Sequence, residues 1–346
     1  MEEVVGSIPT RSTKFSRNFL TENQGRYRPL LCFRRDSLQH GLTTEDLAAR
    51  LSRRQIRPFP FGKPVSAASP VTLEFRHSSP ALWAESIAEA YAFGAATSRN
   101  IEGRFLSALI NGEPEAQEAW SAIAQYNHFL LEHRELYHQA APVARIALIS
   151  ADPHNPLADE FLTQSVFLET KVLAHLDKGV PLDRFKVLVM PADLPRLSTE
   201  QKARLHAFTA GGGVIITDGK PKSGIVARAE AAAEGPRLSL EPRGYVLGQL
   251  TRKPDGRTFV LHLLNYDHQA PAENVKVRLN LSGLDRSGPV DLRETKDLTG
   301  WEVNVLSPDA THPEFAGLSL HRNVIEFTLS RIQHYTVVTL SARPGP

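Results

Sequence analysis

The sequence predicts a protein that combines an α/β part with an all-β part. Up to about residue 141, short apolar runs alternate with helical patterns, which favours a parallel α/β arrangement. Residues 142–230 repeat strand and helix in turn, which predicts a doubly wound parallel sheet. Residues 244–340 carry short alternating runs separated by turn signals, a pattern typical of a small antiparallel β-sandwich.

Composition sets limits on the class of protein. The chain has 346 residues and a formal net charge of +2, from 40 basic and 38 acidic residues. Its length predicts two or three domains, and its near balance of charge predicts no nucleic-acid partner. Cys32 is the single cysteine, which excludes an internal disulfide framework and a cysteine-based zinc site.

The first 17 residues are polar and unpatterned, so we expect them to be disordered. Residues 4–13 resemble the translation of a transfer-RNA gene, which raises the alternative of an artefactual start. The N-terminus is acidic and no apolar run follows it, so it does not predict a signal peptide. No stretch reaches the ~20 apolar residues of a membrane helix. We therefore expect a cytoplasmic protein with no membrane partner.

The first region carries five predicted elements. An apolar run at 19–23 predicts a buried strand, and the pattern at 43–54 predicts a helix. The run at 71–75 predicts a second strand. Helices are predicted at 80–94 and at 114–138, each with apolar residues at helical spacing.

The second region has the clearest periodicity. Apolar runs predict strands at 143–149, 185–190 and 214–218. A helix is predicted at 157–176, between the first two strands. Another begins after Ser198, which we expect to cap the first turn, and three glycines end it.

The third region predicts short strands without a long helix. Five strands are predicted, at 259–264, 275–279, 303–306, 324–329 and 335–340.

Three groups of segments carry a resemblance to a known class of enzymes. They are AEAYAFG at 88–94 with the helical residues 119–137; the run 143–149 with 197–201 and 210–216; and the run 260–266 with 273–277 and 335–340. Their order resembles multidomain glycoside hydrolases of the β-galactosidase type. In those proteins a (β/α)8 barrel precedes a glutamine-amidotransferase-like, flavodoxin-like domain that often trimerises the protein.

The resemblance implies a domain for each region. Residues 18–141 would be the C-terminal part of a (β/α)8 barrel, residues 142–230 the trimerisation-type α/β domain, and residues 244–340 the β-sandwich. About 120 residues precede the middle domain, whereas a complete barrel needs about 250, so we expect a partial barrel that lacks its front. The resemblance also implies a carbohydrate partner and a homo-oligomer formed through the middle domain.

Candidate catalytic residues follow from the position of carboxylates on predicted barrel strands. Glu22 ends the run at 19–23, and Glu74 lies in the run at 71–75. Barrel enzymes place catalytic groups at the carboxyl ends of their strands, and glycosidases use a pair of carboxyl groups. Arg76 and His77 follow Glu74 and are the candidate substrate-binding residues. The alternative for both glutamates is a solvent-facing or salt-bridged side chain.

Other chemistry is not supported by the sequence. Glutamine hydrolysis by the middle domain would need a cysteine nucleophile there, and Cys32 lies outside it. The 13 histidines show no metal-ligand spacing; His128 and His133, five residues apart, lie on different faces of one predicted helix. We therefore expect no metal and no cofactor.

Three functional hypotheses remain at this point. The first is a truncated or inactive glycoside hydrolase-like remnant that at most acts on or binds carbohydrate. The second is the back half of an active glycosidase, split or misannotated from its front half. The third is a non-enzymatic oligomerisation or carbohydrate-binding module.

Overall fold

The computed structural model describes most of the chain beyond residue 72. The described residues are 72–74, 80–93, 98–100, 103–151, 155–164, 166–173, 176, 181–192, 194–217, 224–242, 245–267, 269–282, 301–321 and 323–342. The strand predicted at 19–23 and the helix predicted at 43–54 lie outside these residues.

The described chain begins with a strand–helix–strand unit. Strands β1 (Thr72–Glu74) and β2 (Ser98–Asn100) pair in parallel, and helix α1 (Pro80–Ala92) lies between them in sequence. The predicted strand at 71–75 and the predicted helix from Pro80 are confirmed. The alternation of strand and helix that favoured a parallel arrangement is therefore present in this unit.

Three further helices follow. They are α2 (Gly103–Ile110), α3 (Pro114–Glu132) and α4 (Arg134–Tyr137). The single helix predicted at 114–138 is interrupted at His133, whose backbone leaves helical geometry at φ −103° and ψ 24°. Strand β3 (Ala141–Pro142) then leads into the rest of the chain.

A four-stranded parallel sheet forms the middle of the molecule. It contains β4 (Ile146–Ser150), β5 (Leu168–Val172), β6 (Val187–Met190) and β7 (Val214–Thr217), in the order β5-β4-β6-β7. Each register pairs strands in parallel, as the alternation of strand and helix predicts.

Helices cover both faces of this sheet. Helices α5 (Pro156–Thr163) and α7 (Ile225–Ala232) pack on one face, and α6 (Thr199–Ala210) packs on the other. The predicted cap of α6 is confirmed. The Ser198 hydroxyl accepts from the backbone N–H of Gln201 at 3.1 Å, and the Gln201 side chain accepts from the backbone N–H of Ser198 at 2.9 Å.

The helix predicted at 157–176 is wrong in its second half. Helix α5 ends at Thr163, and residues 168–172 form β5. The cause is the burial of two charged side chains, because Glu169 and Lys171 are 1% and 2% exposed. In the sequence these charges suggest the solvated face of a helix, whereas in the fold they lie on one buried face of a strand.

Eight strands form the rest of the fold. They are β8 (Leu238–Glu241), β9 (Val246–Arg252), β10 (Thr258–Asn265), β11 (Ala272–Asn280), β12 (Trp301–Leu306), β13 (Phe315–His321), β14 (Val324–Ile332) and β15 (Tyr335–Ala342). One antiparallel sheet has the order β12-β15-β10-β9-β3, and the other has the order β13-β14-β11-β8. The five predicted strands are confirmed, and β8, β9 and β13 were not predicted.

The five-stranded sheet is buried on both faces. On β10, Leu261 and Leu263 belong to the core shared with the antiparallel four-stranded sheet β13-β14-β11-β8. Val260 and Leu264, which point the other way, pack with residues of α1 and α3 such as Phe129. Helices α1 and α3 therefore cover the outer face of the sandwich. This packing joins the described residues before 141 to those after 244.

Candidate functional site

Of the predicted site residues, one lies within a described element. Glu74 is the last residue of β1, and its register partner in β2 is Asn100. Glu22, Arg76 and His77 lie outside the described residues. Because β1 and β2 are parallel, their carboxyl ends meet at one edge, and a carboxylate-bearing and an amide-bearing residue end the two strands. We call this edge the strand-end edge. Functional groups of parallel α/β folds gather at such edges.

Helix α1 connects the strand-end edge to the sandwich. Nine of its 13 residues are buried, and Ala84 and Ala88 allow close packing against the five-stranded sheet. Glu89 is buried within this contact, and its Oε1 accepts from the hydroxyl of Tyr266 at 2.9 Å. The helix that follows the candidate catalytic strand is thus fixed by both apolar and polar contacts.

A buried carboxylate joins α3 to the sandwich. The hydroxyl of Tyr126 donates to Oδ1 of Asp309 at 2.6 Å. Oδ2 of Asp309 accepts from the backbone N–H groups of His334 at 3.0 Å and Tyr335 at 3.2 Å, while the Ser307 hydroxyl donates to the Tyr335 carbonyl at 2.7 Å. Burial, followed by the Asp309 carboxylate, raises the pKa of Tyr126 well above its usual value. Tyr126 therefore remains a donor.

A second chain of hydrogen bonds joins α4 to the same sheet. The Tyr137 and Tyr335 hydroxyls are 3.0 Å apart, and the Tyr335 hydroxyl lies 2.8 Å from Nδ1 of His262. On its other side, Nε2 of His262 lies 3.5 Å from the Thr251 hydroxyl. Burial lowers the pKa of His262 to about 3, so the imidazole is neutral near pH 7. We call these five residues, Tyr126, Tyr137, His262, Asp309 and Tyr335, the interface cluster.

An open cleft lies above the interface cluster. It has a volume of about 290 Å³ and is bordered by α3 and by the loop that joins β12 to β13. The lining residues are Gln125, His128, Phe129 and Glu132 from α3, and Ser307, Pro308, Asp309, Ala310 and His312 from the loop. The side-chain amide of Gln125 donates to the carbonyl of Pro308, which ties the two walls together.

The sequence could not predict this cleft as a unit. On α3, residues 125, 128, 129 and 132 follow the spacing of one helix face, which is a local signal. The opposite wall comes from a loop more than 170 residues later, and only the fold brings the two together. No local sequence pattern indicates that this loop packs beside α3.

Two charged side chains of β5, Glu169 and Lys171, are buried, and the exposed Arg184 contacts one of them. Oε2 of Glu169 accepts from Nζ of Lys171 at 2.8 Å and from the guanidinium of Arg184. The Arg184 guanidinium also lies 4.8 Å from the ring centre of Phe185. Burial lowers the pKa of Lys171, and Arg184 adds to this lowering, while Glu169 opposes it. We call Glu169, Lys171 and Arg184 the ion cluster. The burial of Glu169 and Lys171 favours a structural role.

Among the residues that the structure describes, no group of three or more His, Cys, Asp or Glu side chains could hold a metal ion. Within the same part of the chain, every helix is too short or too polar to span a bilayer.

Comparison with known proteins places the chain by fold rather than by sequence. No protein-family model matches the sequence, and no curated protein matches it. The structure is similar to α-L-fucosidase isoenzyme 2 from Paenibacillus thiaminolyticus, with a TM-score of 0.52 and 12% sequence identity. The similarity covers 78% of this chain and 58% of the fucosidase chain, so this chain spans little more than half the length of that protein. The chain therefore shares a fold with this fucosidase over the matched residues.

Proposed function

We propose that this chain is a glycoside hydrolase-like protein that binds carbohydrate at the strand-end edge, with little or no turnover. The observation that carries the proposal is the likeness of fold to an α-L-fucosidase over 78% of the chain. The fold alone does not determine function, so the proposal also depends on which residues occupy the strand ends.

The chemistry at the strand-end edge suits a sugar. The last residue of β1 is a glutamate, Glu74, and the last residue of β2 is an asparagine, Asn100. Carboxylates accept hydrogen bonds from sugar hydroxyls, and an amide can both donate and accept. In this proposal Arg76 and His77, which follow β1 in sequence, orient the substrate.

Binding is favoured over turnover because glycoside hydrolysis needs two carboxyl groups. They must stand about 5–5.5 Å apart for retention or about 6.5–9.5 Å apart for inversion. Within the two described strands, Glu74 is the one carboxylate-bearing residue. Glu22 is the candidate for the second carboxylate, and its contribution is tested directly below.

The finer domain assignment is part of the same proposal. Residues 18–141 would form the last part of a (β/α) barrel, residues 142–230 a trimerisation-type domain, and residues 244–340 the sandwich. The parallel pair β1–β2 with α1 supports the first assignment, and the parallel sheet with helices on both faces supports the second. A homo-oligomer formed through residues 142–230 follows as an expectation.

The test combines binding with turnover in the full chain. Methyl α-L-fucoside and methyl β-D-galactoside are titrated, and the matching nitrophenyl glycosides are assayed for hydrolysis. We expect binding that weakens about tenfold or more in Glu74→Gln, because a hydrogen bond to a charged group contributes about 1.5–3 kcal/mol. Glu118→Gln is the control, since Glu118 is exposed on α3 and belongs to neither β1 nor β2.

The possible results separate the hypotheses. Binding without turnover, weakened in Glu74→Gln alone, supports the proposal. Turnover that disappears in both Glu74→Gln and Glu22→Gln would instead identify an active hydrolase. If no saccharide binds at tens of millimolar while circular dichroism shows a folded chain, the proposal is wrong.

A further inference from the structure

The cleft between α3 and the β12–β13 loop has a fixed polar floor. Asp309 is 7% exposed, and both of its carboxylate oxygens are held by donors from other elements. Its position does not depend on a ligand, because Tyr126 and the backbone of β15 hold it in place. Such pre-organisation lowers the entropy that a ligand must overcome on binding.

Asp309 retains acceptor capacity on one oxygen. Oδ2 accepts from two backbone N–H groups, whereas Oδ1 accepts from Tyr126 alone among the hydrogen bonds of the described residues. A carboxylate has about four lone-pair sites in total, or two on each oxygen. Oδ1 can therefore accept one further hydrogen bond, and Asp309 lines the cleft.

The rim adds groups that both donate and accept. His128, Glu132 and His312 are exposed at the cleft, and Nε2 of His128 lies 4.0 Å from Oε2 of Glu132. A neutral imidazole carries one donor and one acceptor, and a carboxylate carries acceptors alone. No Lys or Arg is among the lining residues, so the cleft offers no cation for a phosphate or another anion.

We propose that this cleft is a second saccharide site, which binds one neutral sugar ring through its hydroxyl groups. Each sugar hydroxyl donates and accepts, which matches a mixed rim better than an ammonium ion, which can only donate. The volume of about 290 Å³ lies at the lower end of ligand sites and suits a monosaccharide. The inference rests on the proposed carbohydrate function, but it concerns different residues from Glu74.

Occupancy of the cleft would connect two parts of the fold. One wall belongs to α3 and the other to the loop after β12, and the Gln125–Pro308 contact already joins them. A sugar held by both walls would add bonds across this junction. Because the cleft is open, little of the ligand is buried, and the dissociation constant is expected on the order of millimolar.

The experiment resolves the two saccharide sites by nuclear magnetic resonance. The full chain, labelled with ¹⁵N, is titrated with methyl α-L-fucoside and with methyl β-D-galactoside. We expect saturable shifts of the amide signals of Ala310 and His312, which line the cleft. The double variant His128→Ala/Glu132→Ala should weaken these shifts about tenfold or more in apparent affinity. Both side chains are exposed, so the fold should be unaffected.

The controls distinguish failure of this inference from failure of the proposed function. The variant His206→Ala/Glu200→Ala changes two exposed residues of α6 and should leave the cleft shifts unchanged. Shifts confined to the strand-end edge around Glu74 would overturn the cleft site and leave the proposed function standing. Absence of saccharide shifts throughout would overturn both. A larger cleft response to methylammonium or to inorganic phosphate would also overturn the inference.

Discussion

Two buried carboxylates in this molecule are stabilised in opposite ways. Asp309, in the interface cluster, is held by a tyrosine hydroxyl and two backbone N–H groups, none of which is charged. Glu169, in the ion cluster, is held by the cations of Lys171 and Arg184. Both carboxylates are less than a tenth exposed.

The difference determines what each cluster loses when it is perturbed. When one uncharged donor is removed, the Asp309 carboxylate keeps its other donors, so the cost is about that of one hydrogen bond. The ion cluster has two cations for one carboxylate, and removal of the carboxylate leaves the buried Lys171 ammonium without compensation, whereas Arg184 is open to solvent. We therefore expect the interface cluster to tolerate the loss of a single donor, whereas the stability of the ion cluster depends on Glu169.

The largest expected effect comes from Glu169→Gln. The change keeps the size of the side chain and removes its charge, so Lys171 remains buried beside Arg184. We expect a loss of about 3–5 kcal/mol in the free energy of unfolding, as for other broken buried ion pairs. Urea unfolding at pH 7 measures it. Glu200→Gln on the exposed face of α6 is the matched control. A loss similar to that of the control would show that the ion cluster does not stabilise the fold.

A smaller, pH-dependent effect is expected at His262 in the interface cluster. Its pKa is about 3 in the folded protein against about 6.5 for an unperturbed histidine, so the unfolded chain binds the additional proton between these values. Stability from the neutral imidazole is complete above pH 6.5 and is lost as the pH falls toward 3. Between pH 6.5 and pH 5 the loss is about 2 kcal/mol, at 1.36 kcal/mol for each pH unit.

The variant His262→Asn removes this titration. We expect its stability to fall by about 2 kcal/mol less than that of the wild type between pH 6.5 and pH 5. The measurement is urea unfolding at both pH values, with His206→Asn on the exposed side of α6 as the control. Equal pH dependence of His262→Asn and the wild type would contradict the low pKa.

The smallest effect is expected for Lys171→Met. Burial of the ammonium group is the main cause of the lowered pKa of Lys171, so the charge itself is costly at this position. Methionine has a similar length, and Glu169 keeps its contact with Arg184. We expect a change within about 1 kcal/mol of the wild type in the same urea assay. A loss as large as that of Glu169→Gln would mean that the two charges stabilise the fold equally.

Local signals account for the elements that the sequence predicted correctly. The cap at Ser198 and Gln201 spans four residues, and the apolar runs of β10, β11, β14 and β15 are continuous or alternating within single strands. Strand β5 was not predicted, because the sequence argument assigns charged residues to the solvent-exposed face of an element. Glu169 and Lys171 are charged and nevertheless buried. A period-based argument assumes that charge faces water, and that assumption fails there.

Most features that the sequence did not predict depend on packing between residues far apart in the chain. The cleft lies between α3 and the β12–β13 loop, which is far along the chain. Helices α1 and α3 cover the five-stranded sheet, most of whose strands come after the parallel sheet in sequence. The sequence does contain one signal that helices cover this sheet. The run 259–264 is apolar at nearly every position, which is typical of a strand buried on both faces rather than of an ordinary sandwich strand. Glu74 was chosen as a candidate from its position in a predicted barrel strand, and its catalytic role stays a prediction.

The cover of α1 and α3 over the sandwich has a consequence for the chain as the ribosome makes it. Tyr126 and its partner Asp309 are separated by 183 positions. At about 5–20 residues per second, α3 emerges roughly 10 to 40 seconds before the sheet against which its apolar face packs. For that interval Phe129 and Leu130 lack their final neighbours. The nascent protein therefore presents an apolar helix surface that chaperones can bind until β15, the last strand, is synthesised.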